Sequence, residues 1–271
     1  MLFLMRVVLT MVALAGLGVG LAPCKETGVP PAAEPKPVIV ELFTSEGCSS
    51  CPSADILLGQ LQRSQPVDGA RIIALAQHVD YWNSLGWADP FSSPEFTRRQ
   101  TAYTRKFQGH SPYTPQMVVD GRAEFVGSDR RRALESIADA ARRPKARVVV
   151  RSSPDGATAV QLEVGITELP SIDGGAVVML ALTEGGLTSK VTAGENVGRS
   201  LSHGSVVRSL EVIGELRDSE PLQLEPVIDL AKEWDKDNLR AVVFVQERKS
   251  RHIVGAGTTP LHRSPGGVTS D

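Results

Sequence analysis

The first half of the chain alternates between short apolar runs and segments with helical spacing. The β-branched run Val38–Phe43 predicts a buried strand, Pro52–Gln62 predicts a helix, and Arg71–Gln77 predicts a second strand. A helix from Pro94 to about Gly109, strands over 116–119 and 122–126, and a helix over 129–143 follow in that order. The predicted order of this half is therefore β-α-β-α-β-β-α.

Capping and turn residues support these boundaries. Ser93-Pro94-Glu95 has the form of an N-cap, a first-position proline and a first-turn acid, and Asp129 has the form of a second N-cap. Asp120-Gly121 is a strong hairpin signal. A crossover helix pairs the first two strands in parallel, and the hairpin adds an antiparallel edge. We therefore expect a thioredoxin-like α/β domain over residues 38–144.

The pattern changes after Lys145, where short strands recur and helical periodicity is weak. Turn residues bound most of these runs, which cover 147–152, 159–166, 176–183, 206–216, 222–230, 239–246 and 253–256. This spacing predicts a separate all-β, sandwich-like domain over residues 145–257, followed by a polar tail over 258–271. A length of 271 residues is also the size at which two domains are expected.

The N-terminus predicts export. Arg6 precedes the unbroken apolar stretch Val7–Leu21, which is typical of a signal sequence, assigned here to residues 1–23. Residues 24–37 are rich in Pro and Ala and predict a tether. The expected location is the periplasm or the cell exterior, where disulfides persist. Leu21-Ala22-Pro23-Cys24 allows either a lipid anchor at Cys24, which Pro23 disfavours, or ordinary cleavage nearby, for example after Gly20.

Composition narrows the classes of partner. The formal net charge is −2 and long basic runs are absent, so no nucleic-acid surface is expected. Contact with a membrane is expected only through the candidate anchor at Cys24.

The clearest chemical motif is Cys48-Ser49-Ser50-Cys51, which follows a predicted strand and opens a predicted helix. Unpaired amide groups and the dipole at a helix N-terminus stabilise a thiolate, so Cys48 is the candidate nucleophile and Cys51 the resolving thiol. A structural disulfide and half of a zinc site are the alternatives. The zinc site lacks a second pair of ligands, and no metal site is assigned.

Thr114-Pro115 directly precedes the third strand and is the candidate substrate platform. This position suits a cis proline facing the cysteines. His78 and Asp80 leave the carboxyl end of the second strand and are candidate auxiliary residues, with loop packing as the alternative. Glu41 is a candidate proton relay, but it stands one residue out of register, which reverses the face of its side chain. His203 and Arg199, within Glu195–Gly204, are further candidates for a ligand contact, with a loop fixed by its own hydrogen bonds as the favoured alternative.

Several of these motifs occur together in one known family. Four stretches resemble a family of secreted thioredoxin-like proteins catalogued as domain of unknown function twelve twenty-three. They are the segment from Val38 through C-S-S-C-P-S-A-D, which ends at Asp55, and His78–Trp82, Tyr113–Gln116 and Glu195–Arg208. The resemblance covers nearly the whole mature chain. It implies a thioredoxin-like fold with an appended β-domain and supports export, but it implies no substrate.

The resulting functional hypothesis is an exported thiol–disulfide oxidoreductase that acts on protein thiols or disulfides. The cysteine pair carries the electrons, so no cofactor is expected. One alternative is a copper-binding, metallochaperone-like protein, although the cysteines have one residue fewer between them than that class uses. The other is a non-catalytic envelope binding module whose disulfide is structural.

Overall fold

The computed structural model describes residues 34–109, 111–156 and 158–261, and its first half has the predicted order of elements. The elements are β1 (Lys36–Thr44), α1 (Pro52–Ser64), β2 (Ala70–His78), α2 (Pro94–Lys106), β3 (Gln116–Val119), β4 (Ala123–Val126) and α3 (Arg130–Ala141). A single 3-10 turn, Asn83–Leu85, interrupts the long loop between β2 and α2.

The predicted caps and the hairpin turn are present. The Ser93 hydroxyl accepts a hydrogen bond from the Glu95 amide, and the Asp129 carboxylate accepts one from the Arg132 amide. Asp120 and Gly121 both have positive φ, at 48° and 63°. A side chain on Gly121 would collide with the Arg251 carbonyl. Glycine is therefore required at this position for two reasons, its positive φ and its closeness to a neighbouring loop.

The second half contains no α-helix among its described residues. Its strands are β5 (Ala146–Asp155), β6 (Ala159–Thr167), β7 (Ala176–Glu184), β8 (Leu187–Lys190), β9 (Ser200–His203), β10 (Val206–Leu216), β11 (Leu222–Leu224), β12 (Val227–Asp229), β13 (Leu239–Glu247) and β14 (Ile253–Pro260). The small hairpin β8–β9 was not predicted. The predicted strand over 222–230 is two strands, separated by Glu225-Pro226.

The predicted fold class, an α/β thioredoxin-like domain followed by an all-β sandwich-like domain, is wrong. Twelve described strands form one mixed sheet with the order β11-β6-β5-β14-β13-β7-β10-β2-β1-β3-β4, and β12 also pairs with β6. The join lies at β10, which is parallel to β2 with Val206 opposite Ala76. The Ala76 amide donates to the Ser205 carbonyl at 2.9 Å. The edge of β2 that the first half leaves unpaired is therefore hydrogen-bonded to a strand of the second half.

A buried carboxylate makes a second connection between the halves. Asp120 accepts from the Ile39 amide through one oxygen and from Lys145 through the other. The Asp120 carbonyl accepts from the Ile253 amide at 2.8 Å. The Asp120 side chain is buried, and each of its carboxylate oxygens accepts a hydrogen bond that compensates for the loss of water.

Helices cover both faces of the β1–β2 part of the sheet. One cluster joins α1 and α3 to Val40, Leu42 and Ile72. The opposite face packs Phe96 of α2 against Ile39 and against strands of the second half. Apolar residues of β5, β6, β7 and β13 share a third cluster.

Over the described residues, none of the helices has the length and apolar character needed to cross a membrane. The candidate signal sequence, Cys24 and residues 262–271 lie outside the described residues.

Candidate functional site

Cys48 and Cys51 form a disulfide at the amino end of α1, with Cα atoms 5.4 Å apart. Cys51 is the N-cap residue of this helix, and its carbonyl accepts from the Ala54 and Asp55 amides. The exposed fraction is 1% for Cys48 and 0% for Cys51, although Ser49 and Ser50 between them are exposed. The loop is therefore at the surface while its sulfur atoms are covered.

A loop from the second half of the chain holds the disulfide loop. The buried amide of Asn196 donates to the carbonyls of Glu46 and Cys48, at 2.8 and 2.9 Å. The Ser49 amide donates to the Glu195 carboxylate at 2.9 Å, and hydrogen bonds from the side chain and the backbone of Ser49 lower the pKa of Glu195. We call residues 191–199 the cap loop. This region was expected to be a loop fixed by hydrogen bonds, and its bonds include these contacts with the disulfide loop.

Five titratable side chains come together beside the first turns of α1, one of them from α1 itself. We call them the polar layer: Glu46, Asp55, His78, Asp89 and His203. His78 Nδ1 lies 2.7 Å from Asp89, and His203 Nε2 lies 2.9 Å from Glu46. The two imidazole rings meet edge to face, with centroids 4.9 Å apart. Asp55 accepts from the Thr44 hydroxyl at 3.1 Å. The layer therefore combines residues from both halves of the chain.

The environment moves the pKa values of these groups in different directions. Burial raises the pKa of Asp55. Burial also opposes charge on His78 and Asp89, but their mutual attraction outweighs it, so the pKa of His78 is raised and that of Asp89 is lowered. Burial likewise opposes charge on Glu46, yet hydrogen bonds from His203, Ser189 and Trp87 lower its pKa. Asp55 is thus the carboxyl group of the layer that holds a proton most readily.

Four buried polar atoms in this region have no hydrogen-bond partner among the residues that the structure describes. They are Asp55 Oδ1, His78 Nε2, His203 Nδ1 and Asn196 Oδ1. Asp55 and His203 also line a groove of about 400 Å³ between α1 and the β8–β9 hairpin. Buried polar atoms are normally bonded, so this concentration of unpartnered atoms near one disulfide sets the region apart.

The Thr114–Pro115 bond is cis, as predicted. A Cβ on Gly127 would lie 3.1 Å from the Cβ atoms of both Pro115 and Ala54, which places Pro115 beside the first turn of α1. The Thr114 hydroxyl accepts from the Trp82 indole at 2.8 Å. That Pro115 faces a bound substrate stays a prediction.

The other predicted auxiliary residues have different surroundings. His78 belongs to the polar layer. Asp80 accepts from the Thr97 hydroxyl at 2.6 Å and so ties the loop to α2. Glu41 accepts from Arg99 and Tyr103, at 2.5 and 2.6 Å, on the opposite face of β1. A proton-relay role for Glu41 therefore has no support from its surroundings.

Sequence reasoning missed Asp55, Asp89, Glu46 and Asn196. Only Asp55 had a local signal, since it lies four residues after Cys51 and so on the same helical face. Within the described ranges, no group of three or more His, Cys, Asp or Glu side chains is arranged to hold a metal ion.

Comparison with known proteins gives one family and two similar structures. The family model described as protein of unknown function (DUF1223) matches residues 39–246. Protein AGR_C_4864 from Agrobacterium tumefaciens is similar, with 28% identity and a TM-score of 0.65, over 84% of this chain and 95% of that chain. HBP35 of Porphyromonas gingivalis is similar in fold, with 13% identity and a TM-score of 0.62, over 89% of this chain and 80% of that chain. No curated protein matches.

Proposed function

Because the chain belongs to the DUF1223 family, whose function is unknown, we propose a function from the site itself: exported thiol–disulfide exchange at Cys48–Cys51. The observation that carries the proposal is a disulfide at a helix N-terminus with an unsatisfied, titratable layer directly behind it. A disulfide that only braces a loop needs no such layer. The apolar N-terminal stretch Val7–Leu21 supports the exported location.

In the oxidising direction, the thiolate of a reduced partner protein attacks the Cys48 sulfur. A mixed disulfide forms, the Cys48–Cys51 bond breaks, and Cys51 leaves as a thiolate. A second partner thiolate then attacks the partner sulfur of the mixed disulfide and releases Cys48 as a thiolate. The partner dithiol is oxidised by two electrons, the cysteine pair is reduced by two, and the partner's two protons balance the two new thiols.

Asp55 is the group we assign to proton exchange with Cys51. Its raised pKa favours the protonated form, and one of its oxygens has no partner. The adjoining groove gives this carboxyl group a route to solvent. A protonated Asp55 can supply the leaving Cys51 thiolate with a proton, and the carboxylate can accept it again in the reverse direction.

One observation favours the second candidate function, a binding module with a structural disulfide. Both sulfur atoms are almost fully covered, and two hydrogen bonds from Asn196 hold the loop closed. Exchange requires the cap loop to move away from the disulfide loop, whereas a structural disulfide requires no movement. The two functions therefore differ in the reactivity of the folded protein.

The test uses the oxidised full-length mature protein and a reduced, unfolded test protein with two cysteines. We expect wild type to oxidise the test protein at least about tenfold faster than the double variant Cys48→Ser/Cys51→Ser. The variant Cys51→Ser should retain Cys48 and, in its reduced form, give a trapped mixed disulfide with an oxidised test protein. Gln60→Ala, at an exposed position further along the same helix, is the control.

Two results separate the candidates. A wild-type rate equal to that of the double variant, with no covalent complex from Cys51→Ser, favours the structural-disulfide module. Tight binding of Cu(I) by the reduced pair without exchange favours the copper-binding alternative.

A further inference from the structure

A second groove lies between α3, the β3–β4 turn and the β13–β14 turn. Its volume is about 390 Å³, and its polar lining includes Arg122, Arg132, Arg143, His252 and Ser136. We call it the arginine groove. It adjoins the Val119–Ala123 end of the β3–β4 hairpin, whereas Pro115 and the disulfide lie toward the opposite end. Two separate segments of the chain therefore bring arginines to one place, and a third segment adds His252.

The cations of this groove are incompletely neutralised. Arg122 Nε is buried without a partner, and the structure records no ion pair for Arg122 or Arg132 among the described residues. Burial and the nearby Arg143 lower the pKa of Arg122, despite the opposing effect of Asp120, Glu247 and Asp139.

The two acids of the lining have partners of their own. Glu135 pairs with Arg131 at 2.7 Å, and Asp139 pairs with Arg142 and Arg143 at 3.1 and 3.0 Å. Each acid is thus engaged by a cation on α3 or directly after its end. Arg122 and Arg132 retain their charge toward the groove.

The pKa of His252 reflects the same positive charges. Burial lowers its pKa, and so do Arg122, Lys106 and Arg143, while Glu247 opposes them. The neutral ring adds an N–H donor to the guanidinium donors around it. The repulsion between Arg122 and the nearby Arg143 costs free energy, which an anion in the groove would offset.

We propose that the arginine groove binds the phosphate group of a ligand. Arginine presents paired N–H donors that match the oxygens of phosphate, and several converging arginines favour a dianion over a monoanion such as acetate. The site is independent of the redox chemistry proposed above, because none of its lining residues belongs to the disulfide loop, the cap loop or the polar layer. The chemistry is common to a free phosphate ester and to a lipid headgroup.

The first experiment measures binding of inorganic phosphate by the full-length mature protein, using titration calorimetry in a chloride-matched buffer. We expect wild type to bind phosphate, and Arg122→Gln to weaken the binding at least about tenfold, the value expected for a charged hydrogen bond. Arg130→Gln is the control, since Arg130 is an exposed arginine at the start of α3 that does not line the groove. We expect that variant to bind as wild type does.

The second measurement needs no variant. The ring pKa of His252, followed by NMR, should rise when phosphate is added and stay unchanged with equal ionic strength of chloride. An unchanged ring pKa, or equal weakening by Arg130→Gln and Arg122→Gln, overturns the proposal. Acetate binding as tightly as phosphate overturns it as well.

The two sources of phosphate are distinguished with vesicles. Retention on phosphatidylglycerol vesicles that Arg122→Gln abolishes, with no retention on phosphatidylcholine, assigns the groove to a headgroup. Phosphate binding without retention on vesicles assigns it to a soluble ligand. Absence of both forms of binding contradicts the proposal.

Discussion

Two buried polar clusters lie on opposite faces of β1, and they differ in how completely their atoms are bonded. On one face, Glu41, Arg99, Tyr103, Gln246 and Gln77 form what we call the Arg99 network. Glu41 accepts from Arg99, Tyr103 and Gln77, and Arg99 also donates to Gln246 and to the Tyr103 hydroxyl. A single oxygen of this network, Gln77 Oε1, has no partner.

The polar layer on the other face is assembled differently. It contains more titratable groups in fixed pairs, yet three of its own atoms, and a fourth on the cap loop, have no partner. A satisfied network stabilises one conformation, and an unsatisfied one retains the capacity to exchange protons. The comparison teaches that burial of charge alone does not identify a reactive site. A reactive site is identified instead by buried polar atoms that still lack a hydrogen-bond partner.

Glu41→Gln should have the largest effect on stability. It leaves the buried Arg99 charge without its counterion, and breaking such a pair costs about 3–5 kcal/mol. Urea denaturation should show this loss, while the rate of thiol exchange per folded molecule stays unchanged. The exposed Glu135→Gln, which also removes an arginine partner, should cost no more than about 0.5 kcal/mol. A smaller loss for Glu41→Gln than for Glu135→Gln would contradict the structural role of the network.

His78→Gln tests the paired groups of the polar layer. The pKa of His78 is raised above its ordinary 6.5, so its stabilising contribution is complete below pH 6.5 and is lost as pH rises through the folded value. The pKa of Asp89 is lowered below 3.8, so its contribution is present above pH 3.8 and is lost as pH falls through the folded value. The substitution should therefore cost most, about 1.5–3 kcal/mol, between pH 4 and 6.5.

The measurement is the free energy of unfolding from pH 3 to 9 for wild type, His78→Gln, Asp89→Asn and the double variant. A coupling energy between the two sites that is greatest in the stated pH window supports the pairing. A coupling energy that is constant with pH would show that the pair is not charged.

Asn196→Ala addresses the cap loop. Loss of two hydrogen bonds to the disulfide loop should destabilise the protein by about 1–2 kcal/mol. The rate at which dithiothreitol reduces the disulfide should rise roughly 5–30-fold, because opening of the loop becomes easier. Asn238→Ala, an exposed loop residue, is the control. An unchanged rate of reduction would mean that the cap loop does not limit access to Cys48.

Asp55→Asn should have the smallest effect on stability and the opposite sign. Because burial raises the pKa of Asp55, its charged form is penalised above pH 3.8, and the penalty grows as pH rises through the folded value. The variant should be more stable than wild type by about 0.5–1 kcal/mol at pH 8 and equal to it near pH 3.5. Its rate of exchange should fall. The control is Asp68→Asn at an exposed position, which should change neither the stability nor the rate of exchange.

The sequence predicted most elements of the first half because their signals are local. Ser93 and Asp129 act within three residues of their partners, and Asp120-Gly121 determines its own turn. The disulfide motif was visible for the same reason. Periodicity also correctly indicated that Glu41 is on the wrong face for a role beside the cysteines.

The pairing of β10 with β2 could not be predicted, because an alternating pattern shows which face of a strand is buried but not which strand lies beside it. The polar layer was missed for a related reason. His203 and Glu46 are separated by more than 150 residues, and each by itself resembles an ordinary loop residue. The hairpin β8–β9 is short and polar, and it lacks the apolar run on which strand prediction depends.

The place of β10 in the sheet also has a kinetic consequence. A nascent chain that ends after α3 carries β1 to β4 and three helices, but one side of β2 has no neighbour until residue 206 has been synthesised. Such an open edge is a template for pairing with other chains. The high contact order that this closure imposes slows folding, so completion of the first half depends on the arrival of the second. We expect a fragment ending at residue 144 to aggregate rather than fold.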